Sequence, residues 1–359
     1  MLVSEAFGGW GGIAKFNRDF VAAVASHAAT TEVVVVPRRF VGPAGTLPDK
    51  LDYRQHAAGG RGAFFAETAR LAATGGHFDV IVSGHSHQAY NCTIDGKLVT
   101  SAASAGRLVT DIDLQIQRAD GEVVSKSARN LVVSRDVEKD PRETALIAHY
   151  RPVAETVGGR VVGSIAASLL RAVNGAGESA LGDVIADGML EGARNAPGGD
   201  AVVAFTNLGG IRADILRTGS GAAMPVTYAQ LFEVVPFGNV VMVKSLTGEA
   251  IVQVLEQQFD LSRILQVSQG FTYAYDTSRP RGRRIDRSSI RINGAPLVPT
   301  ERYRVATTDF LWTSGDGFTG LGSGTDPVTI GVDVDVFADY FSDHSPVSPG
   351  QQDRIHKTR

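Results

Sequence analysis

The sequence predicts two domains, the first of α/β type, and three observations support this. The chain of 359 residues is longer than one hydrophobic core ordinarily serves, so two cores are the natural division. From Met1 to Val82 strand and helix patterns alternate, which marks a parallel sheet with crossover helices. A helical pattern from Asp140 to Val157, with Pro141 near its start and Gly158-Gly159 behind it, then sets that region apart from the rest.

Composition narrows the partners. A hydrophobic fraction of 43% with 20% charged residues fits a globular protein, and a net charge of -3 leaves no basic excess to track nucleic-acid phosphates. Cys92 is the single cysteine, so an internal disulfide is excluded. No apolar run reaches the length of a membrane span. Met1-Leu2-Val3 runs straight into Ser4-Glu5 and glycines, without the basic-then-apolar layout of an export leader, so as written the chain is expected to be cytoplasmic. Quaternary state is left open.

In chain order, Met1-Leu2-Val3 reads as a strand and Gly8-Gly9-Trp10-Gly11-Gly12 as a loop. A helix follows through Ile13, Phe16, Phe20, Val21 and Val24. Glu32 to Val36 gives a second strand, Ala63 to Ala73 a second helix, and Phe78 to Val82 a third, buried strand, completing βαβαβ. The glycine loop suits either a phosphate at the helix N-terminus or tight packing. Gly84-His85-Ser86-His87 follows a strand, where ligand sites of α/β sheets gather, and the two imidazoles can be metal ligands or plain surface groups. Gln115 to Val133 alternates around Ala119-Asp120-Gly121, a hairpin signal.

Past the boundary, Gly177 to Leu190 is a capped helix with a small-residue face, which implies close packing. Val202 to Phe205 is an apolar run ending in Thr206-Asn207-Leu208-Gly209-Gly210-Ile211-Arg212. Bare glycine N–H groups and the planar fork of Arg212 suit an anion, although an ordinary strand-to-turn connection reads the same way. Arg279 to Arg284 reads as a solvated hairpin tip, and Ser342 to Arg359, rich in Pro, Ser and Gln, as a loosely held tail.

Several stretches resemble known families. Glu5 to Asp19 resembles the start of glycosyltransferases that use nucleotide sugars, which marks residues 1–78 as an acceptor-side half-domain only. Asp79 to His87, Asp95 to Thr100 and Gly106 to Leu114 resemble the end of the calcineurin-like metallophosphatase domain of bacterial 5′-nucleotidases, covering 79–139. That resemblance implies metal roles for His85 and His87 in a dinuclear centre of the Mn, Zn or Mg type. The family's Asp-x-His, Gly-Asp-x-x-Asp and Gly-Asn-His-Asp segments are missing, so the resemblance implies an incomplete metallophosphatase-like first domain with an incomplete metal site.

Glu178 to Asp187, Asn207 to Arg212, Pro236-Phe237-Gly238-Asn239, Leu246-Thr247-Gly248, Leu265 to Phe271 and Ser314 to Phe318 resemble, in order, the motifs of the 5′-nucleotidase C-terminal domain. The resemblance implies an α+β domain over 161–340, after a linker helix at 140–160 and before a tail at 341–359. It also implies site roles. Phe237 and Phe310 would clamp a base, since each π face supports stacking of about 1–3 kcal/mol. Asp316, acceptor-only when ionised, would take the ribose hydroxyls. Asn207, Gly209, Gly210 and Arg212 would face polar groups, Asn239 the base edge, and Gly270 would allow close backbone approach, with Arg171 as a second anion contact. Without the resemblance, the two phenylalanines read as core aromatics and Asp316 as a turn residue. The implied activity is metal-dependent hydrolysis of nucleoside phosphate esters, impaired by the missing motifs. A non-catalytic nucleotide-binding remnant and a glycosyltransferase fragment are the alternatives.

Overall fold

A computed structural model describes residues 2–3, 6–7, 12–28, 30–38, 40, 42–73, 79–84 and 87–359. The chain divides into two compact units, Met1–Asp140 and Pro141–Arg359.

In the first unit, β1 (Leu2–Val3), β2 (Val33–Pro37) and β3 (Leu51–Tyr53) form a parallel sheet in that order. Helix α1 (Gly12–Ser26) buries Ala14, Val21 and Ala25. Phe16 and Phe20, members of the apolar pattern that predicts this helix, are exposed and stack on each other with centroids 6.2 Å apart. Helix α2 (Arg61–Ala73) carries Glu67, which accepts from Arg70 at 2.7 Å and lies 3.0 Å from His56 Nε2.

The predicted third strand of that sheet is elsewhere. β4 (Val80–Val82) pairs in parallel with β6 (Lys97–Ala102), which pairs antiparallel with β5 (Ala89–Ile94), and Val82 is 74% exposed. The βαβαβ reading is therefore corrected: β3 takes the third place, and an apolar triplet that resembled a core strand lies at a sheet edge. β7 (Leu108–Ile116) and β8 (Val123–Val132) form the hairpin, turning at Gly121 with φ of 80°.

The second unit opens with α3 (Pro141–Gly158), β9 (Val161–Ile165) and α4 (Ala180–Asn195), whose N-cap Ser179 accepts from the Gly182 amide. The chain continues through β10 (Val203–Asn207), β11 (Met224–Thr227) and α5 (Tyr228–Val234), which starts with a Thr227–Gln230 capping box. Then come β12 (Val240–Thr247), α6 (Gly248–Leu261), β13 (Leu265–Val267), β14 (Phe271–Tyr275), β15 (Ile285–Ile292) and β16 (Ala295–Pro296). β17 (Arg302–Thr308), α7 (Asp309–Trp312), β18 (Thr325–Val332), α8 (Asp333–His344) and β19 (Ile355–Lys357) complete it.

A mixed five-stranded sheet in the order β13-β10-β17-β12-β18 forms the middle layer. Its period-two alternation feeds two cores. Ala204, Val241, Val243 and Ala306 face α4 and α8, while Val203, Phe205, Leu246 and Val305 face α6 and the second sheet, β16-β15-β14-β19. This is an α+β domain. The Arg279–Arg284 run lies between β14 and β15, where Arg281 pairs with Asp260 at 3.2 Å and Arg284 covers the Phe259 ring.

The segment expected to be a loose tail is a correction. α8 runs to His344, and β19 adds a parallel strand to β14 with Ile355 buried. Glu178, fully buried, accepts from the Arg354 and Ile355 amides at 3.1 Å each. The Arg354 guanidinium forks onto both Asp187 oxygens at 2.7 and 2.8 Å.

Asp183 sits in the same buried group, and its carboxylate oxygens have no hydrogen-bond partner among the described residues. Burial pushes its carboxyl up to about 8, against the pull of Arg354 and with added repulsion from Glu178 and Asp187. The native state thus holds a proton that the unfolded chain releases near pH 4, so this group's contribution to stability is full below that value and is lost as pH rises toward 8. Thermal unfolding at pH 5 and 8.5 tests this: D183N should remove most of the difference seen in the wild type, and an equal difference in both proteins would refute it. No helix among the described residues is long and apolar enough to cross a membrane.

Candidate functional site

The register of the central sheet gathers most of the predicted residues of the second unit at one end. β10 and β17 run parallel and both finish there, at Asn207 and Thr308. β12 is antiparallel to β17, with Val241 opposite Thr308, so the turn Pro236–Asn239 precedes it at that same end. β18 pairs Val332 with Val240 and delivers Asp333 beside them. Strand ends of this kind leave backbone groups and loop side chains free for a ligand.

Asn207 and Asp316 are joined directly, Nδ2 donating to Oδ2 at 2.7 Å. Asp316 occupies a left-handed conformation, φ 54°, in the turn Ser314–Gly317, and its other oxygen pairs with Arg263. Gly209 lies against the pair: a Cβ there would sit 3.2 Å from Asp316 Oδ2 and 3.3 Å from Asn207 Nδ2. A Cβ on Gly210 would sit 3.2 Å from Asn207 Oδ1. Arg212 donates to the Gly209 carbonyl at 3.1 Å, and its guanidinium covers the Phe237 ring at 5.6 Å. Arg171 reaches the Arg212 carbonyl at 3.4 Å, placing a second guanidinium beside this loop.

Phe237 and Phe310 are 54% and 40% exposed, so neither is a core aromatic. Their loops are tied together, because the Val240 amide donates to Asp309 Oδ1 at 3.0 Å, as does the Phe310 amide at 2.9 Å. The Phe310 ring lies against Gly315, where a Cβ would come within 2.6 Å of two ring carbons. Asn239 donates to Asp333 Oδ2 at 3.2 Å, and burial pushes the Asp333 carboxyl up to about 6.

Gly270 is not brought to this group. β13 runs antiparallel to β10 with Leu265 opposite Asn207 and Val267 opposite Phe205, so the chain moves away from Asn207 before reaching Gly270. Its φ of 82° and the Asn293 Oδ1 atom 2.4 Å from a would-be Cβ explain the glycine. The same register keeps Arg263, just before β13, at the Asn207 end. Neither Arg263 nor Asp333 carries a signal in the sequence, since each acts through a partner distant in the chain. A separate groove of about 390 Å³ between α4 and α8, lined by Glu191, Asp339, Tyr340 and Asp343, contains none of these groups.

Of the two histidines implied as metal ligands, His85 lies outside the described residues. His87 is exposed with φ of 57°. Among the described residues no group of three or more His, Cys, Asp or Glu side chains is arranged to hold a metal ion. They do not by themselves fit a dinuclear centre.

A mixed sheet that gathers exposed rings, arginines and a carboxylate–amide pair at one end has the build of a small-ligand-binding α+β domain. Residues 160–323, all within the second unit, match the family described as 5′-nucleotidase, C-terminal domain. The chain is similar to the endonuclease YhcR of Bacillus subtilis (strain 168), at 30% identity over 300 residues, covering 82% of this chain and 23% of that protein. It is also similar to the trifunctional nucleotide phosphoesterase YfkN of the same organism, at 28% identity over 297 residues, covering 77% of this chain and 20% of that protein. Among solved structures, the 5′-nucleotidase precursor from Thermus thermophilus is similar at a TM-score of 0.61 and 26% identity, over 95% of this chain and 66% of that one. The chain thus spans under a quarter of the length of the two Bacillus relatives.

Proposed function

We propose that the second unit grips the nucleoside part of a nucleotide, and that the chain is a 5′-nucleotidase-type hydrolase with impaired turnover. The base enters between Phe237 and Phe310, Asn239 meets its edge, Asp316 takes the sugar hydroxyls, and Arg212 with Arg171 faces the phosphate. The supporting observation is the pair of exposed rings on loops joined through Asp309, at the sheet end that also holds Asn207, Asp316 and Arg212. Turnover would need two divalent ions to activate water and neutralise the phosphoryl oxygens, and the motif resemblance assigns ligand roles to His85 and His87 alone. Calorimetric titration with adenosine, beside AMP hydrolysis in Mn²⁺, tests both parts. Saturable adenosine binding with AMP turnover near background is the expected outcome. Absence of adenosine binding would overturn the nucleoside reading, and brisk AMP hydrolysis would overturn the impairment.

A further inference from the structure

Asp316 is held from two elements at once. Asn207 at the end of β10 binds Oδ2, and Arg263 beyond α6 binds Oδ1. The direction in which Arg263 leaves its helix is fixed. Ser262 is left-handed with φ of 53°, and the amides of Ser262 and Arg263 both donate to the Gln258 carbonyl, a closure that ends the helix in one geometry. The Gln258 side chain is itself buried, accepting from the Leu265 amide at 3.3 Å and donating to the Tyr273 hydroxyl at 3.2 Å.

The same helix braces the turn that carries Asp316. Leu261 packs so closely on Gly317 that a Cβ there would meet it at 2.6 Å. Gln257 donates to Thr319 at 2.8 Å and accepts from the Gly320 amide at 3.0 Å. The left-handed conformation is one that Asp adopts readily in turns, and these contacts fix the turn so that it aims a carboxylate.

We infer that Arg263 is a positioning residue for the ligand's sugar: with Asn207 it clamps Asp316 as a reader of vicinal ribose hydroxyls, favouring ribonucleosides over 2′-deoxyribonucleosides. The inference rests on the nucleoside reading above. An ionised carboxylate has about four lone-pair sites. The protein uses one on each oxygen, leaving one on each for two neighbouring hydroxyl donors. A 2′-deoxy sugar fills only one of them. Without Arg263 the carboxylate keeps the Asn207 hydrogen bond on Oδ2 but loses the contact that fixes Oδ1, and the second hydroxyl loses its pre-aimed acceptor.

The test is calorimetric affinity for adenosine, 2′-deoxyadenosine and adenine in the wild type, R263A and R263K. Wild-type protein should favour adenosine over its 2′-deoxy analogue by about tenfold or more, the range for one pre-aimed hydrogen bond. R263A should contract that ratio to roughly twofold while leaving adenine affinity unchanged, and R263K should fall between, because an ammonium lacks the planar fork. Unchanged adenine binding shows that the slot is intact, which a merely structural loss would not leave. A wild-type ratio retained in both variants would overturn the role of Arg263 alone, as would a wild type that binds both nucleosides equally. Absence of adenosine binding by the wild type would overturn this inference and the nucleoside reading together.

Discussion

Replacing Arg354 with methionine should destabilise the second unit by about 3–5 kcal/mol, the range for stranding a buried charge. The side chain is 12% exposed and forks onto Asp187, while one of its nitrogens also donates to the Val267 carbonyl at 2.8 Å. Asp187 in turn accepts from the Gln269 amide at 2.6 Å. Methionine keeps most of the length and volume, so lost packing contributes little. What it removes is the cation facing Asp187, Asp183 and Glu178. Chemical denaturation measures the change, read from the midpoint with the slope unchanged. Pairing R354M with D187L should recover a large part of the loss, since the stranded carboxylate is then gone. A single variant within about 1 kcal/mol of the wild type would show that the cluster is solvated or protonated enough to need no cation.

Loss of either exposed ring should weaken adenosine binding by about ten- to a hundredfold, equivalent to roughly 1–3 kcal/mol per stacked base. F237A also uncovers Arg212, which rests on that ring. F310A leaves Gly315 bare and removes the wall opposite. The double variant should show no measurable binding at millimolar adenosine. Because both rings are more than a third exposed, the unfolding midpoint should move little, separating binding from folding. Single variants that bind like the wild type would remove the base from this slot.

Much of the second unit is legible in the sequence because its elements carry local signals. The apolar run into Asn207 reads as a buried strand, and Ser179 caps α4. The site is harder. Phe237 and Phe310 look like core aromatics until motif order is considered, because exposure is a property of the assembled sheet and not of neighbouring residues. Arg263 and Asp333 are invisible for the same reason. Gly270 misleads because a glycine after a strand looks alike whether it faces a ligand or Asn293. The Pro- and Ser-rich composition of residues 345–350 hides β19, which is too short to show a period. In the first unit, Val80–Val82 has a core composition at an exposed edge, and composition alone does not distinguish the two.

The late position of β19 matters while the chain is being made. Translation delivers α4, with its carboxylates, long before Arg354 and the strand behind it leave the ribosome. Until Lys357 has emerged, the nascent second unit has an open sheet edge at β14 and uncompensated acid groups beneath it. Its closure therefore waits on Arg354, made 167 positions after its partner Asp187.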